Sequence, residues 1–497
     1  MSRARSKLVF ALACSWYALA GAEVPPLPVV TPVPSTGQAP LSSAYRPGNE
    51  YADLDEVGYT EKEFFISGVA PAITSTGATL FELPYISRIL VRYPTDPAKF
   101  NGTAIIEPFS WLGERGTSWV LSKRYMLRKG YAYVGYTLSV SKPKIDPKTA
   151  DWPPASVPAN LNLDYMRSFD YSRYALLAMY FDPARFRRGS HADPFAPQAQ
   201  GIGAQLAYLL KSNVAASPLH GLTVQRVYVD SWAVQAQVWM DYLNQGRHQQ
   251  WRMPDGRALI DAYMTGKMDF GELGGDTARR PRRMPEDAPF VMIYSQSELM
   301  LDVLNGIPAP PDFEHPRMRY YELAGVPHTN NNDTGTDETN DLDPGKQHEI
   351  ACQHLYDDEP QEVLAQALLD GLDRWVREGT AMPRAPRVLR KGKTLVRDPR
   401  THNVVGGVRP PWVAAPAAAY MTDPETGCGE SYDTKIPYSA AQLRAMYGNY
   451  DDYLRQFTAA KVASIKEGYL LPEDAERVQP IARPGDFTSD GAGSRLR

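Results

Sequence analysis

The chain has 497 residues, of which 43% are hydrophobic and 22% are charged, and its formal net charge is −4. This size and composition are those of a globular protein with one large elaborated domain or two domains. Because the chain is slightly acidic rather than basic, it lacks the electrostatic character of nucleic-acid-binding proteins, and we expect no nucleic-acid partner.

The N-terminus has the pattern of a secretory signal peptide. Basic residues precede the apolar run 8–14, and small residues that suit a cleavage site follow it. The run is too short to span a membrane, and no later stretch reaches the roughly 18 apolar residues that a transmembrane helix needs. We therefore expect residues 1–22 to be a signal peptide and the mature protein to be periplasmic or secreted. Cys14, preceded by a weak lipobox, leaves a lipoprotein as the alternative.

Cleavage of this peptide would leave Cys352 and Cys428 as the cysteines of the mature chain. In an oxidising compartment two cysteines tend to form a disulfide. Two buried free thiols are the other interpretation, and export favours the disulfide.

Strand and helix patterns alternate along the chain after a Pro-rich segment, 23–48, that predicts an extended arm. Short apolar or β-branched runs predict strands at 87–93, 103–107, 131–137, 225–229, 290–294 and 318–322. Helical patterns follow at 118–129, 203–211 and 362–378. Apolar strands separated by helices predict an α/β fold with a mostly parallel central sheet and helices on both faces.

The pattern changes after residue 384, where Pro- and Gly-rich loops replace the regular alternation. Helical patterns return at 439–446, 450–466 and 472–481. We expect residues 49–384 to form the core and residues 385–497 to form a loop-rich and helical C-terminal extension that packs on it.

Residues 226–244 have the layout of a strand, a tight turn and a helix, which is that of the nucleophile elbow of α/β-hydrolases. The elbow is strained, so the residues two positions from the catalytic serine must be small. With Ser231 as nucleophile, these positions are Val229 and Ala233. With Ala233 in the nucleophile's place, they are Ser231 and Gln235, and the nucleophile is missing. An ordinary strand and helix is the third interpretation.

Two polar residues follow later strands in the order that a serine, acid and histidine triad requires. Glu298 comes after strand 290–294, with Asp302 as a nearby rival, and His328 comes after strand 318–322. Either residue alone is compatible with an ordinary loop position. Their order at successive strand ends, where open α/β sheets bind ligands, favours the catalytic interpretation.

Several segments, in a shared order, resemble a family of bacterial alpha/beta-hydrolase domain proteins. They include VRYPTDPAKFNGTAIIE (91–107), YELAGVPH (321–328), LLDGLDRWVREGTAMPRAP (368–386) and VVGGVRPPWVAAPAAAY (404–420). The resemblance implies an α/β-hydrolase fold for nearly the whole mature chain, with His328 as the base and Glu298 as the acid. It aligns the family's elbow serine with Ala233, and it aligns an Asp that usually follows the acid with Met300.

The loop after strand 103–107 also departs from the family, which has Glu-Trp-x-Asn where residues 107–110 read Glu-Pro-Phe-Ser. In α/β-hydrolases this loop lies where oxyanion-hole donors are supplied, and Pro108 has no N–H to donate. Ser110, Trp111 and Trp232 are the candidate oxyanion and substrate-contacting residues.

Neither a metal nor a cofactor is expected. The acidic stretch 329–343 has carboxylates that suit a hard cation, but its spacing is not that of an EF-hand loop, and a solvated acidic loop is the favoured interpretation. Aromatic residues cluster around the expected site entrance and fit either a pocket for an apolar or aromatic ester or core packing. They are Trp111, Trp119, Trp152, Tyr165 and Trp232.

The sequence thus predicts an exported carboxylic-ester hydrolase with a small-molecule substrate. In this hypothesis Ser231 attacks the carbonyl, His328 takes its proton and Glu298 orients His328. The alternative is a catalytically divergent, non-hydrolytic relative, because Ala233 occupies the family's nucleophile position. Such a protein would be a binding protein or an enzyme that forms no covalent intermediate.

Overall fold

The structure is a computed structural model. It describes residues 22–45, 51, 53–73, 78–110, 114, 116–138, 163–179, 196–267, 283–307, 315–328, 330, 355–426 and 433–488. All structural statements below concern these residues. None of their helices is both long and apolar enough to cross a membrane.

A nine-stranded sheet organises the core, in the order β1-β2-β3-β5-β4-β6-β7-β8-β9. Its strands are β1 Val29–Pro32, β2 Tyr59–Ile73, β3 Thr79–Pro94, β4 Thr103–Pro108, β5 Ala132–Tyr136, β6 Arg226–Trp232, β7 Ala262–Gly266, β8 Phe290–Tyr294 and β9 Met318–Glu322. The first three strands and the β3–β5 pair are antiparallel, and every pair from β5 to β9 is parallel. Strands β4, β5, β7, β8 and β9 are buried throughout because helices cover both faces, as expected of a parallel sheet.

Helices lie on both faces of this sheet. They are α1 Thr117–Lys129, α2 Leu163–Phe169, α3 Tyr171–Tyr174, α4 Ala199–Lys211, α5 Ala236–Asn244, α6 Arg247–Gln250, α7 Gln296–Leu304 and α8 Glu362–Glu378. On β5, Tyr133 packs against Trp119 of α1, while the Tyr136 hydroxyl lies beside Gly203 of α4. Since side chains alternate along a strand, α1 and α4 cover opposite faces. The predicted α/β fold, with a mostly parallel sheet covered on both faces, is confirmed.

The segment predicted as an extended arm contributes β1, which pairs with β2, and continues along the core. The buried Arg92 forms an ion pair with Glu61 at 2.8 Å and donates to the carbonyl of Ser42 in the arm at 2.6 Å. The Arg92 guanidinium also lies 4.2 Å from the Trp119 ring centroid. A buried charge that is paired and stacked in this way ties the arm to β2, β3 and α1.

The C-terminal part contains a three-stranded sheet, a two-stranded sheet and further helices. Their bounds are β10 Leu355–Tyr356, β11 Arg390–Lys391, β12 Thr394–Leu395, β13 Ala418–Met421, β14 Thr434–Pro437, α9 Pro411–Ala414, α10 Asp423–Thr426, α11 Ala440–Tyr447 and α12 Tyr450–Glu467. This part contacts the core through the Arg128–Asp474 pair, at 3.0 Å, and through Arg477 Nε, which donates to Glu362 at 3.1 Å. The helix predicted at 472–481 is a shorter 3-10 segment, Pro472–Arg477.

Candidate active site

The strand-turn-helix corner predicted at 226–244 is present. Strand β6 ends at Trp232, a 3-10 turn covers Ala233–Gln235, and α5 begins at Ala236. Ala233 has a φ of +54° and is partly exposed. This left-handed conformation costs a non-glycine residue about 1–2 kcal/mol, and the strained turn is the feature of an elbow that presents a nucleophile. Ala233 therefore has the backbone conformation expected of the presenting residue of such an elbow.

Ser231 lies two residues earlier, inside β6, and is fully buried. Its register partner in β7 is Thr265, and its Oγ has no hydrogen-bond partner among the described residues. The preceding residue, Asp230, accepts a hydrogen bond from Ser118 of α1, so the Ser231 side chain points to the opposite face of the sheet. Ser231 Oγ therefore makes no hydrogen bond with His328 in this structure, and its role as nucleophile stays a prediction.

Trp232 lies between these two positions and is also buried. Its indole packs over Gly266 at the end of β7, where an added Cβ would lie 2.3 Å from the ring. Only glycine leaves room for this close approach. The Trp232 indole thus lies between the sheet and helices α1 and α8, near Leu121 and Leu368.

The predicted acid and base do meet. Glu298 is in the first turn of α7, directly after β8, and His328 follows β9. The Glu298 Oε1 atom accepts a hydrogen bond from Nδ1 of His328. The Glu298 side chain is 1% exposed and that of His328 is 23% exposed. Asp302, the rival acid, lies one turn further along α7 and is buried.

The surroundings keep Glu298 ionised although it is buried. Burial alone would raise its pKa, but the charge of His328, hydrogen bonds from His328 and Ser295, and the charge of Lys267 together lower the pKa of this carboxyl below its usual value. The Ser295 N–H donates to Glu298 Oε2 at 2.7 Å. An ionised Glu298 accepts a hydrogen bond from the Nδ1–H of His328, which leaves Nε2 as the nitrogen that can act as a base.

The loop that carries His328 is held by α7. The His328 N–H donates to Ser297 Oγ at 2.8 Å, and the Gln296 N–H donates to the carbonyl of Val326 at 2.9 Å. The Gln296 side chain accepts from the Gly325 N–H at 2.9 Å and donates to the carbonyl of Tyr420 at 3.0 Å. Three consecutive residues of α7, Gln296, Ser297 and Glu298, therefore hold the imidazole of His328 and the backbone of its loop.

A small cleft lies beside the loop that carries His328, where Val326 and Lys267 line it. Its lining is mostly aliphatic, with Trp232, Lys267 and Gln361 as the aromatic and polar members. The remaining lining residues are Leu121, Ile293, Leu323, Val326, Ala365 and Leu368. Lys267 is 5% exposed, and its Nζ donates to the carbonyl of His328 at 2.7 Å. The sequence pattern does not predict β7, so it does not point to this lysine either.

The loop after β4 is only partly described. The Phe109 N–H donates to the carbonyl of Tyr136 at 2.8 Å, which extends the sheet, and the carbonyl of Ser110 accepts from the Glu114 N–H at 3.1 Å. Ser110 is buried. Trp111, the other residue expected here, lies outside the described residues.

Two buried acids, Glu107 of β4 and Asp230 of β6, lie near the elbow and were not predicted from the sequence. Glu107 accepts hydrogen bonds from the Ser118 N–H at 2.7 Å and from the Tyr133 hydroxyl at 2.7 Å. Burial raises the pKa of Glu107 to about 8 and that of Asp230 to about 7. Ser118 donates to both carboxyls, so the acids anchor the N-terminus of α1 to the end of the sheet. The available signal was an acidic residue near the C-terminal end of each of the two neighbouring strands, Glu107 in β4 and Asp230 in β6.

Several predicted features lie outside the described residues. They are Cys352, Cys428, Trp152, the residues 1–21 of the predicted signal peptide, and all of the acidic stretch except Asn330. The disulfide and the signal peptide stay predictions. Within the part of the chain that the structure describes, no group of three or more His, Cys, Asp or Glu is placed to hold a metal ion.

A family model named alpha/beta hydrolase domain matches residues 29–480. The chain belongs to this family. The resemblance noted from the sequence is thereby confirmed, together with the α/β-hydrolase fold. The search of curated proteins finds no match.

Solved structures similar to this chain include other alpha/beta hydrolases. The chain is 7% identical to a hyperthermophilic esterase from the archaeon Pyrobaculum calidifontis, covering 52% of this chain and 74% of that one with a TM-score of 0.24. It is 11% identical to esterase B from Lactobacillus rhamnosis, covering 52% and 73% with a TM-score of 0.26. It is 8% identical to an alpha-beta serine hydrolase homologue from Coxiella burnetii, covering 48% and 81% with a TM-score of 0.25.

Proposed function

We propose that this alpha/beta hydrolase domain protein hydrolyses a small carboxylic ester without an acyl-enzyme intermediate. His328 acts as the general base on a water molecule, and Glu298 orients the imidazole and balances its charge. The proposal keeps the ester hydrolysis of the first hypothesis derived from the sequence and takes only the absence of a covalent intermediate from the second. It rests on the family, whose fold provides a site at this edge of the sheet, and on the residues at that site.

One observation carries the proposal: the Glu298–His328 pair is intact, while the left-handed elbow position belongs to Ala233. An alanine has neither a proton to give nor a lone pair with which to attack. Ser231 is fully buried within β6 and has no hydrogen bond to the histidine. In this proposal the protein therefore retains the histidine base of the family but has no serine nucleophile at the elbow.

The proposed reaction is a direct hydrolysis. Water takes the place that a serine hydroxyl would have occupied beside His328, and Nε2 removes a proton as the water oxygen attacks the ester carbonyl. The tetrahedral intermediate then collapses to the carboxylic acid, and the alkoxide leaving group takes the proton from the imidazolium. The protein returns to its starting state with no covalent bond to the substrate.

Stabilisation of the negative oxygen in the intermediate falls to backbone N–H groups. In this fold the residue after the nucleophile position supplies one donor, which here is the N–H of Val234. The second donor ordinarily comes from the loop after β4, where Pro108 has no N–H and the N–H of Phe109 is bonded to Tyr136. Because neither Pro108 nor Phe109 can supply this donor, we expect slow turnover, favoured by a good leaving group. The aliphatic side chains around Trp232 favour an apolar ester over a charged one.

The test is hydrolysis of p-nitrophenyl acetate by the purified protein and its Ser231→Ala and His328→Gln variants. We expect slow turnover without an initial burst, kept in S231A and reduced at least about a hundredfold in H328Q, since general-base catalysis contributes roughly 10²–10⁴-fold. Loss of activity in folded S231A would show that Ser231 is the nucleophile and overturn the proposal. Activity that persists in H328Q, or a wild-type protein that binds the ester without hydrolysing it, would overturn it as well.

Export is a further part of the proposed function. The signal-peptide pattern of residues 1–22 supports a periplasmic or secreted protein. N-terminal sequencing of protein recovered from the periplasm or medium is expected to find the chain starting after residue 20 or 22. An uncleaved N-terminus in cytoplasmic protein would contradict this.

A further inference from the structure

We infer that Lys267 is a positioning residue of this site, which holds the backbone of His328 and sets the charge state of the Glu298–His328 pair. The inference rests on the proposed function for its catalytic meaning, but the contacts that carry it stand by themselves. It assigns a role to a buried cation at the end of β7.

The position of Lys267 follows from the topology. Strand β7 lies between β6, which leads to Ala233, and β8, which leads to Glu298. Lys267 is the first residue after β7 and therefore lies at the same edge of the sheet as the elbow and the acid. Its N–H donates to the carbonyl of Ile293 in β8 at 2.8 Å, which fixes its backbone there.

Its backbone conformation is unusual for a lysine. Lys267 has a φ of +52°, in the left-handed region that favours glycine. Residues held in such conformations cluster at functional sites, where the surrounding structure enforces them. In this case the conformation accompanies a side chain that is turned into the protein rather than towards solvent.

The Lys267 ammonium group contacts the elements on either side of the site. Its Nζ donates to the carbonyl of His328 at 2.7 Å and to Oε1 of Gln361, just before α8, at 2.5 Å. These bonds join the His328 loop to the helix layer beneath the sheet. A buried lysine is costly unless its donors are used, so the bonds also explain how the side chain is accommodated.

The charge of Lys267 acts on the pair directly. Burial by itself would raise the pKa of Glu298. The charge of His328, hydrogen bonds from His328 and Ser295, and the charge of Lys267 outweigh burial and hold this pKa below its usual value. The same positive charge disfavours a second positive charge on the nearby imidazole. A neutral His328 at moderate pH is the form that can accept a proton from water, so Lys267 favours the reactive form of the base.

A purely structural lysine provides a control. Lys211, on α4, is 8% exposed, and its Nζ donates to the carbonyl of Ala258 at 2.7 Å and to Asp261 at 2.8 Å. It resembles Lys267 in burial and in its bond to a backbone carbonyl, but it belongs to the helix layer on the opposite face from α1. Lys211→Met therefore removes a buried charge and its hydrogen bonds without touching the site.

The experiment is a pH titration of the His328 imidazole by NMR in full-length protein with labelled histidine, in wild type, Lys267→Met and Lys211→Met. The chain has 8 histidines, and His328→Gln identifies the resonance of interest. We expect the midpoint of His328 to move to higher pH by roughly half a unit or more in K267M, because a nearby positive charge is removed. We expect no movement in K211M.

Hydrolysis of p-nitrophenyl acetate gives a second readout. We expect K267M to lower kcat roughly ten- to hundredfold with little change in KM, since a misplaced base affects the chemical step more than binding. If K267M does not fold, Lys267→Gln, which keeps a polar side chain, replaces it. An unchanged His328 midpoint in a folded variant overturns the inference. Because the titration needs no turnover, an inactive wild-type protein would overturn the proposed function and leave the inference on Lys267 to be decided by the midpoint.

Discussion

Ser231 and Ala233 are two residues apart, yet they differ in both exposure and backbone conformation. Ser231 is fully buried in the extended strand β6, beside Thr265 of β7. Ala233 is partly exposed and has a φ of +54° at the strand-to-helix turn. The residue with a hydroxyl therefore lies within the sheet, and the residue at the presenting position has no reactive group.

Restoring a hydroxyl at the turn should restore the covalent route. We expect Ala233→Ser to react with a fluorophosphonate probe at residue 233 and to show a burst in p-nitrophenyl ester hydrolysis, because the new Oγ would face the intact base. Peptide mapping by mass spectrometry locates the adduct. Ala233→Gly, which relaxes the turn without adding a nucleophile, is the control and should stay unlabelled. A folded A233S variant without an adduct would show that position 233 does not face His328.

The packing of Trp232 over Gly266 predicts a sensitive position. We expect Gly266→Ala to lower the free energy of unfolding by roughly 1–3 kcal/mol, the usual cost of overpacking a core, because its Cβ would lie 2.3 Å from the indole. Urea denaturation measures this. The control is Gly485→Ala, where an added Cβ meets no atom within 4 Å. Equal stability of the two variants would mean that Trp232 moves aside freely.

The acid Asp230 predicts a pH-dependent stability. Burial raises its pKa to about 7, so between about pH 4 and pH 7 the folded protein holds a proton that the unfolded chain releases. The free energy of unfolding should therefore fall as the pH rises through this window, by no more than about 4 kcal/mol, since one pKa unit corresponds to about 1.4 kcal/mol. We expect Asp230→Asn, which resembles the protonated acid, to weaken the decline. Denaturation at pH 5, 6, 7 and 8 checks this, and parallel curves for the two proteins would exclude the effect.

Glu298 should act on stability in the opposite direction. Its pKa is lowered in the folded protein, so its contribution is present above about pH 4.5 and is lost as the pH falls through the folded value. We expect Glu298→Gln to be less stable than wild type at pH 7, and the difference to shrink under acidic conditions. Activity should fall as well, since a glutamine cannot balance a charged imidazole. A stability difference that is independent of pH would show that the carboxylate is not ionised in the folded state.

Much of the fold could be predicted from the sequence because its signals are local. Strands β8 and β9 and helix α8 have the predicted bounds, since β8 is a continuous apolar run, β9 is centred on two tyrosines and α8 has a strong helical repeat. Strand β7 was not anticipated: its sequence, AYMTG, ends in a glycine that is needed for Trp232 and that weakens the strand pattern. Without β7, nothing in the sequence pointed to Lys267.

The candidate site was predictable in part for the same reason. Glu298 and His328 each follow a strong strand signal, so their meeting could be expected from the order of elements. The choice between Ser231 and Ala233 could not be made from the sequence, because it depends on where the strand stops and the backbone turns, a difference of two residues. The bonds from Gln296, Ser297 and Lys267 to the His328 loop join segments that are remote in sequence, and they became visible only in the folded chain.

Intact-mass spectrometry of the wild-type protein tests the central claim most directly. The protein is incubated with a fluorophosphonate probe and, separately, quenched with acid during turnover of p-nitrophenyl butyrate. We predict that folded protein hydrolyses the ester while its mass stays unchanged in both experiments, because Ser231 is buried within β6 and Ala233 holds the elbow position. A mass increase that maps to Ser231 would contradict this account, since it would mean that the buried serine reaches the substrate and forms an acyl-enzyme.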